Sequence, residues 1–148
     1  MTAANALLAA IHARLSGDAA LSALIGPDRI VDRLLARPLL PCIVFGDMET
    51  RDYSTATEAG EEHRLTIAVW SQASGRREAE EIAGRVQMLL HDAPLPLADH
   101  ALVSLAHLRT RTRRQPNTGL FSAELQLRAV TEERQGGIVP AGPGGREE

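Results

Sequence analysis

The fold is organised around residues 58–90, which read EAGEEHRLTIAVWSQASGRREAEEIAGRVQMLL. Leu65, Ile67 and Val69 alternate with the residues between them, which is the period of a strand that buries at least one face. The second half changes to helical spacing, with an apolar stripe formed by Ala79, Ile82, Ala83, Val86, Leu89 and Leu90. We expect Ser74 to cap this helix. A strand followed directly by a helix that can lie on it is the nucleus of a two-layer α/β domain.

The flanking segments extend this nucleus into an α+β domain. Two helices are expected first, followed by a short edge strand, a buried strand, the central strand and helix (75–91), and a final hairpin. The expected ranges are 3–15 and 18–25 for the first helices, 29–33 and 42–47 for the early strands, and 102–112 and 120–130 for the hairpin. We predict a two-layer sandwich: a mixed, mainly antiparallel sheet of four to five strands with the helices packed on one face. The order is N-terminal helices followed by β-β-α-β-β.

The chain is expected to form one domain, residues 1–132. Its 148 residues are enough to bury a sizeable core. From residue 133 to 148 the composition shifts to Gly, Pro and charge, which predicts a flexible tail.

A polar segment between the second and third expected strands is the first candidate site. Residues 48–62 are long for a connection in a compact domain, and such segments are usually functional or mobile. The strands on either side can extend into it and make a hairpin arm. The acidic candidates for an interface here are Asp47, Asp52, Glu58, Glu61 and Glu62. A solvated loop is the plainer interpretation, and both stay open.

An arginine-rich hairpin is the second candidate site. Its candidate residues are Arg109, Arg111, Arg113 and Arg114, and we expect His107 to share a face with Arg109, Arg111 and Arg113. The facing strand alternates Glu124, Gln126 and Arg128, so cross-strand Arg–Glu pairs are expected if the polar faces coincide. The arginines suit a solvated strand face or an acidic protein partner better than nucleic acid.

Several function classes lack support in the sequence. A net charge of −3 and 3% aromatic residues argue against a nucleic-acid binder with a basic footprint or stacking platform. The chain has no lysine, no HExxH and no G-x-S-x-G, and its one cysteine, Cys42, stands in an apolar run where a buried thiol is expected. No apolar run reaches eighteen residues, so no membrane partner is expected. We predict no catalytic residue, no cofactor and no metal.

The chain resembles a known family over residues 5–132. The resemblance is carried by the block from Gly46-Asp47 through Arg51-Asp52-Tyr53-Ser54-Thr55 and Thr57-Glu58 to Gly60-Glu61-Glu62-His63-Arg64-Leu65-Thr66, and then by Val69-Trp70-Ser71. It continues in Gly75-Arg76-Arg77-Glu78-Ala79, Leu90-His91-Asp92-Ala93-Pro94-Leu95 and Phe121 with Arg128-Ala129-Val130-Thr131. These segments are similar to the tail terminator (tail-completion) proteins of long-tailed phages and of alphaproteobacterial gene transfer agents.

The resemblance implies a structural role in a virion or gene transfer agent particle. Proteins of that family form a ring, usually a homohexamer, on the head-proximal end of the tail tube, and the ring ends tube polymerisation. Its partners would be the tail tube protein and the head-completion (stopper) protein, and DNA would pass through its lumen without specific binding. The resemblance implies no enzyme activity.

Two alternatives stay open at this point. Another head–tail connector, such as a stopper or an adaptor, has a similar size and ring habit. A small α+β enzyme or ligand-binding domain would need a pocket with convergent polar groups.

Overall fold

A computed structural model describes residues 1–72 and 74–134 of the chain. The elements in chain order are α1 (Ala3–Ser16), α2 (Ala19–Ile25), β1 (Ile30–Val31), β2 (Cys42–Asp52), β3 (Gly60–Ser71), α3 (Arg77–Leu90), β4 (His100–Arg114) and β5 (Phe121–Glu133). This is an α+β fold, as predicted. The predicted flexible tail lies outside the described residues, apart from the end of β5 and Arg134.

The five strands form one mixed sheet in the order β1-β2-β3-β5-β4. β1 runs parallel to β2, and the other neighbours are antiparallel. The connection from β3 through α3 to β4 skips one position, which β5 later fills. The expected mixed and mainly antiparallel sheet is therefore confirmed, with the short edge strand as its fifth member.

The core lies between the three helices and one face of the sheet. From β3 it takes Leu65, Ile67 and Val69, each at most 3% exposed, and from α3 it takes the whole apolar stripe named above. From β5 the alternate residues Ala123, Leu125, Leu127 and Ala129 are fully buried. The opposite surface of the sheet, called the open face below, carries mainly polar side chains.

The helix ends and strand ends differ from the expected ones where local polar contacts intervene. Thr2 caps α1, accepting a hydrogen bond from the Asn5 N–H at 3.1 Å. Ser74 does not cap α3, because residues 74–76 form a bend and turn and the helix starts at Arg77 without a side-chain cap. β2 continues five residues past its predicted end at Asp47, so most of the polar segment is a β2–β3 hairpin arm.

The prediction that His107 shares a face with Arg109, Arg111 and Arg113 is wrong. An irregularity in β4 between His107 and Arg109 places His107 opposite Leu127 and Arg109 opposite Gln126. One extra residue, Leu108, reverses the alternation, so His107 lies on the helix side and Arg109 on the open face.

Among the described residues, no single helix is both long and apolar enough to cross a membrane. α1 and α2, bent by 82° relative to each other, meet that criterion only when they are counted together.

Candidate assembly interface

The hairpin arm, residues 47–62, has an ordered base. Tyr53 N–H donates to the Gly60 carbonyl at 2.9 Å and continues the ladder beyond β2. At the tip, the Thr55 hydroxyl accepts from the Glu58 N–H at 3.0 Å, while the Thr55 N–H donates to the Glu58 carbonyl at 2.8 Å. Side-chain turns of this kind hold polar tips in one conformation.

Glu62 is the structural anchor of the arm. Its side chain is 2% exposed on the open face, and its two oxygens accept from Arg51 Nε at 2.6 Å and from Arg128 Nε. Arg64 Nε lies 3.8 Å away, and the Arg128 guanidinium stacks 5.4 Å from the Tyr53 ring centre. The hydrogen bond from Arg128, and then that from Arg51, hold the pKa of Glu62 below its usual value. Glu62 therefore joins three strands within one subunit.

His63 fills the corresponding place on the helix side. It is fully buried, with Nδ1 2.9 Å from the Thr50 hydroxyl and Nε2 2.9 Å from the Thr131 hydroxyl. Burial lowers the pKa of this imidazole, although Glu61 at 4.0 Å opposes the shift. The neutral His63 side chain therefore links β2 to β5 through hydrogen bonds.

The remaining acidic candidates lie at the surface of the arm. Asp47, Asp52 and Glu58 are exposed, and the Glu61 side chain is 45% exposed. Asp52 accepts a hydrogen bond from the Ser54 hydroxyl at 2.6 Å. Four of the five predicted acidic candidates are therefore accessible to a partner, and Glu62 is not.

The four β4 arginines are all exposed. Arg109 Nε donates to Gln126 Oε1 at 3.1 Å, and Arg113 lies 4.0 Å from Glu124. Arg111 is paired with Glu124 in the strand register. One of the expected Arg–Glu pairs forms, between Arg113 and Glu124, and it is long, so the guanidinium groups remain available to a partner.

The open face carries more positive than negative charge in the described strands. The register places six arginines there (Arg51, Arg64, Arg109, Arg111, Arg113 and Arg128) and four glutamates (Glu49, Glu62, Glu124 and Glu132). Arg51 and Arg64 were not among the predicted candidates, and Arg128 was expected only as a polar residue of the facing strand, because the face that the three share becomes visible only when three strands are aligned.

The structure separates the two predicted interface clusters instead of joining them. The arm belongs to β2 and β3, while the arginines lie on β4 at the opposite edge of the sheet. The strand ends also oppose: the arm lies at the end where β4 begins, and the β4–β5 turn lies beside the end of β3. Acidic and basic clusters on opposite edges cannot neutralise each other within one subunit.

Two further surface features were not predicted. A cleft of about 310 Å³ at the base of the arm is lined by residues that include Asp52, Glu61, His100 and Glu133.

No group of three or more His, Cys, Asp or Glu in residues 1–72 and 74–134 is arranged to hold a metal ion.

The segment before β2 exposes three leucines, Leu34, Leu35 and Leu39, at 37%, 52% and 68%. They surround a small groove beside Cys42, a residue that is 3% exposed and whose thiol has a pKa raised by burial. Exposed large apolar side chains in one place are typical of contact surfaces. The signal in the sequence was two leucine pairs between arginines and prolines, without the period of a strand or a helix.

Comparisons with known proteins agree on one family. The family described as Tail completion protein gp17 matches residues 9–132. Among solved structures, a chain in the virion of a native gene transfer agent (GTA) particle is similar, with 34% sequence identity and a TM-score of 0.79. The similarity covers 87% of this chain and 96% of that chain. A comparison with curated proteins gives no match. The chain belongs to the tail completion protein family, whose members are structural proteins of virion tails.

Proposed function

We propose that this protein is a tail terminator of a phage or gene transfer agent particle. Six copies form a ring on the head-proximal end of the tail tube, where the ring ends tube polymerisation and binds the head-completion (stopper) protein. DNA passes through the central channel. The observation that carries this proposal is the similarity of nearly the whole described fold to a chain of a gene transfer agent virion.

The distribution of charge supports a head-to-tail contact between copies. A ring needs two different surfaces on each subunit that fit each other, because a surface that fits only itself gives a dimer. The exposed acids of the arm and the exposed arginines of β4 are two such surfaces, on opposite edges of one sheet.

The arm is the segment that we assign to the neighbouring subunit or the tube. Asp47, Asp52, Glu58 and Glu61 supply its contact surface, and Glu62 holds its base in place through Arg51 and Arg128. The arginines of β4 supply the counter-charge at the contact with a neighbouring subunit or with the stopper.

Reversing the charge of Arg111 and Arg113 together tests this assignment. Both side chains are exposed, so the double variant Arg111→Glu, Arg113→Glu is expected to fold and to lose ring formation or tail joining. Arg76→Glu with Arg77→Glu is the matched control, because these arginines are also exposed but lie at the start of α3 and not on β4. Native mass spectrometry and electron microscopy of joined particles give the two readouts. Normal rings and normal particles from the β4 variant would show that these arginines do not form the contact.

A further inference from the structure

Two segments of the sheet have backbone hydrogen-bonding groups that face away from every other strand. β1 covers β2 only at Ile43 and Val44, and no other strand of the described residues lies beside residues 46–52, which we call the distal β2 edge. β4 is the last strand on the other side. An uncovered strand edge can pair with a strand of another chain, so each of these two segments is a candidate site for such pairing.

Hydrogen bonds identify the outward-facing residues of the distal β2 edge. Ile43 N–H donates outward to the Arg29 carbonyl at 2.7 Å, whereas Tyr53 N–H donates inward to the Gly60 carbonyl. Alternation across the bulge between Phe45 and Met48 then places three outward residues on this edge. They are Met48, Thr50 and Asp52.

The outer edge of β4 has a covered half and a free half. The Leu105 carbonyl accepts from Asp92 N–H at 2.8 Å, and His107 N–H donates to His91 Nδ1 at 3.0 Å, so the end of α3 covers this part. Beyond the bulge, Gln115 N–H donates inward to the Leu120 carbonyl. Residues 108–114, the free β4 edge, therefore have three outward residues, Thr110, Thr112 and Arg114.

The two edges match in length, side-chain face and charge. Each has three outward residues, and their side chains lie on the helix side of the sheet in both cases. The distal β2 edge carries Asp47, Glu49 and Asp52 against Arg51, which Glu62 already binds, while the free β4 edge carries four arginines and no acid. Like charges disfavour pairing of each edge with its own copy, and opposite charges favour pairing of one edge with the other.

We propose that the distal β2 edge of one subunit pairs with the free β4 edge of the next, which joins the sheets of neighbouring copies into one. This inference rests on the proposed ring and names its subunit contact. If all helices stay on the same side, the two strands meet antiparallel, because β2 and β4 already run in opposite directions within one sheet. Thr50 faces Thr112, and Glu49 faces Arg113.

The stagger that this register requires is compatible with a closed ring. Within one subunit, the strand register places Thr112 at the same height as Val69 of β3 and places Thr50 at the same height as His63 of β3. These two positions are six residues apart along β3. Six residues correspond to a shift of about 20 Å, and four strands are about 19 Å wide. The strands then tilt by about 45° from the ring axis, at the upper end of the range of closed barrels.

A proline at an outward position tests the backbone contact. Thr112→Pro removes an N–H that points away from every described strand of the same subunit, so the subunit is expected to fold and the hexamer to be lost. Thr112→Ala is the matched control: it also removes the hydroxyl that donates to Glu80 at 2.5 Å, but it keeps the N–H, and it is expected to assemble. Native mass spectrometry, with tail tube protein added if assembly requires it, measures the assembly, and circular dichroism measures folding.

Cysteine crosslinking tests the same contact without disturbing the backbone. In a Cys42→Ala background, Glu49→Cys with Arg113→Cys is expected to give a ladder of disulfide-linked oligomers up to the full ring. A link within one subunit is excluded, because β3 and β5 separate the two sites by about 14 Å and a disulfide spans at most about 7 Å between Cα atoms. Glu49→Cys with Met88→Cys, which places the second thiol on an exposed position of α3, is the control that should not link.

The outcomes separate this inference from the proposed function. A ladder from Glu49→Cys with Arg113→Cys, or with Arg111→Cys for a register two residues along, supports the edge contact. Hexamers that form no ladder with either pair overturn the edge contact and leave the ring intact. Wild-type protein that stays monomeric with and without tube protein overturns both.

Discussion

At the residue scale, the two consecutive residues Glu62 and His63 connect the arm to the rest of the sheet. Their side chains point to opposite faces, where Glu62 binds two arginines and His63 binds two threonines. Glu62 was predicted as one of the acidic interface candidates, because it stands in a run of charged residues. Its burial depends on Arg128, 66 positions away, and no local pattern reveals such a partner.

Replacing Glu62 is expected to destabilise the sheet. Glu62→Gln leaves Arg51 and Arg128 without their shared carboxylate, so the melting temperature should fall, and Glu61→Gln, at a half-exposed neighbour, should change it little. Because the folded pKa of Glu62 lies below 4.5, its contribution is present above about pH 4.5 and is lost as the pH falls through the folded value. In thermal melts, the melting temperature of Glu62→Gln should therefore differ from that of wild type by a large amount at pH 7 and by a smaller amount at pH 3. An equal difference at both pH values would contradict this role of the carboxylate charge.

His63 is expected to make the fold sensitive to mild acid. Its folded pKa lies below 6.5, so the unfolded chain binds more protons than the folded chain once the pH falls below about 6.5. This extra proton uptake by the unfolded chain lowers the free energy of unfolding as the pH falls further. Urea denaturation at pH 7.5 and 5.5 should show a smaller acid-induced loss for His63→Gln than for wild type. His12→Gln, on an exposed turn of α1, should behave as wild type. An unchanged loss in His63→Gln would assign the acid sensitivity to other groups.

At the element scale, the strand β3 and the helix α3 were predictable because each has a strong hydrophobic period. The predicted apolar stripe of α3 is buried at every position. The element ends were less predictable. The polar part of β2 is held by pairing with β3 rather than by burial, and the bulge at Leu108 leaves no local signal that distinguishes it from a continuous strand.

Substitutions on α3 should show that its stripe holds the two layers together. Ile82 is fully buried and Met88 is 59% exposed. Ile82→Ala should lower the free energy of unfolding by roughly 2–5 kcal/mol. Met88→Ala should change it by no more than about 0.5 kcal/mol. Urea denaturation of the two variants measures both values, and a small effect of Ile82→Ala would mean that α3 is not central to the core.

At the scale of the whole molecule, the fold class and the family followed from the sequence, whereas the arrangement of the candidate interface did not. The acids and the arginines were each found as charge patterns. Their placement on opposite edges depends on β5 entering between β3 and β4, which is a property of the sheet order and not of any segment. In that placement the acidic edge and the basic edge of one subunit cannot pair with each other. Each edge can instead pair with the opposite edge of a neighbouring copy, as a ring requires.

Native mass spectrometry of the purified protein, with and without tail tube protein, is the decisive test of the proposed ring. We expect six copies of the 15.9 kDa chain, a complex of about 95 kDa, either alone or when tube protein is present. A monomer that is indifferent to tube protein would contradict it.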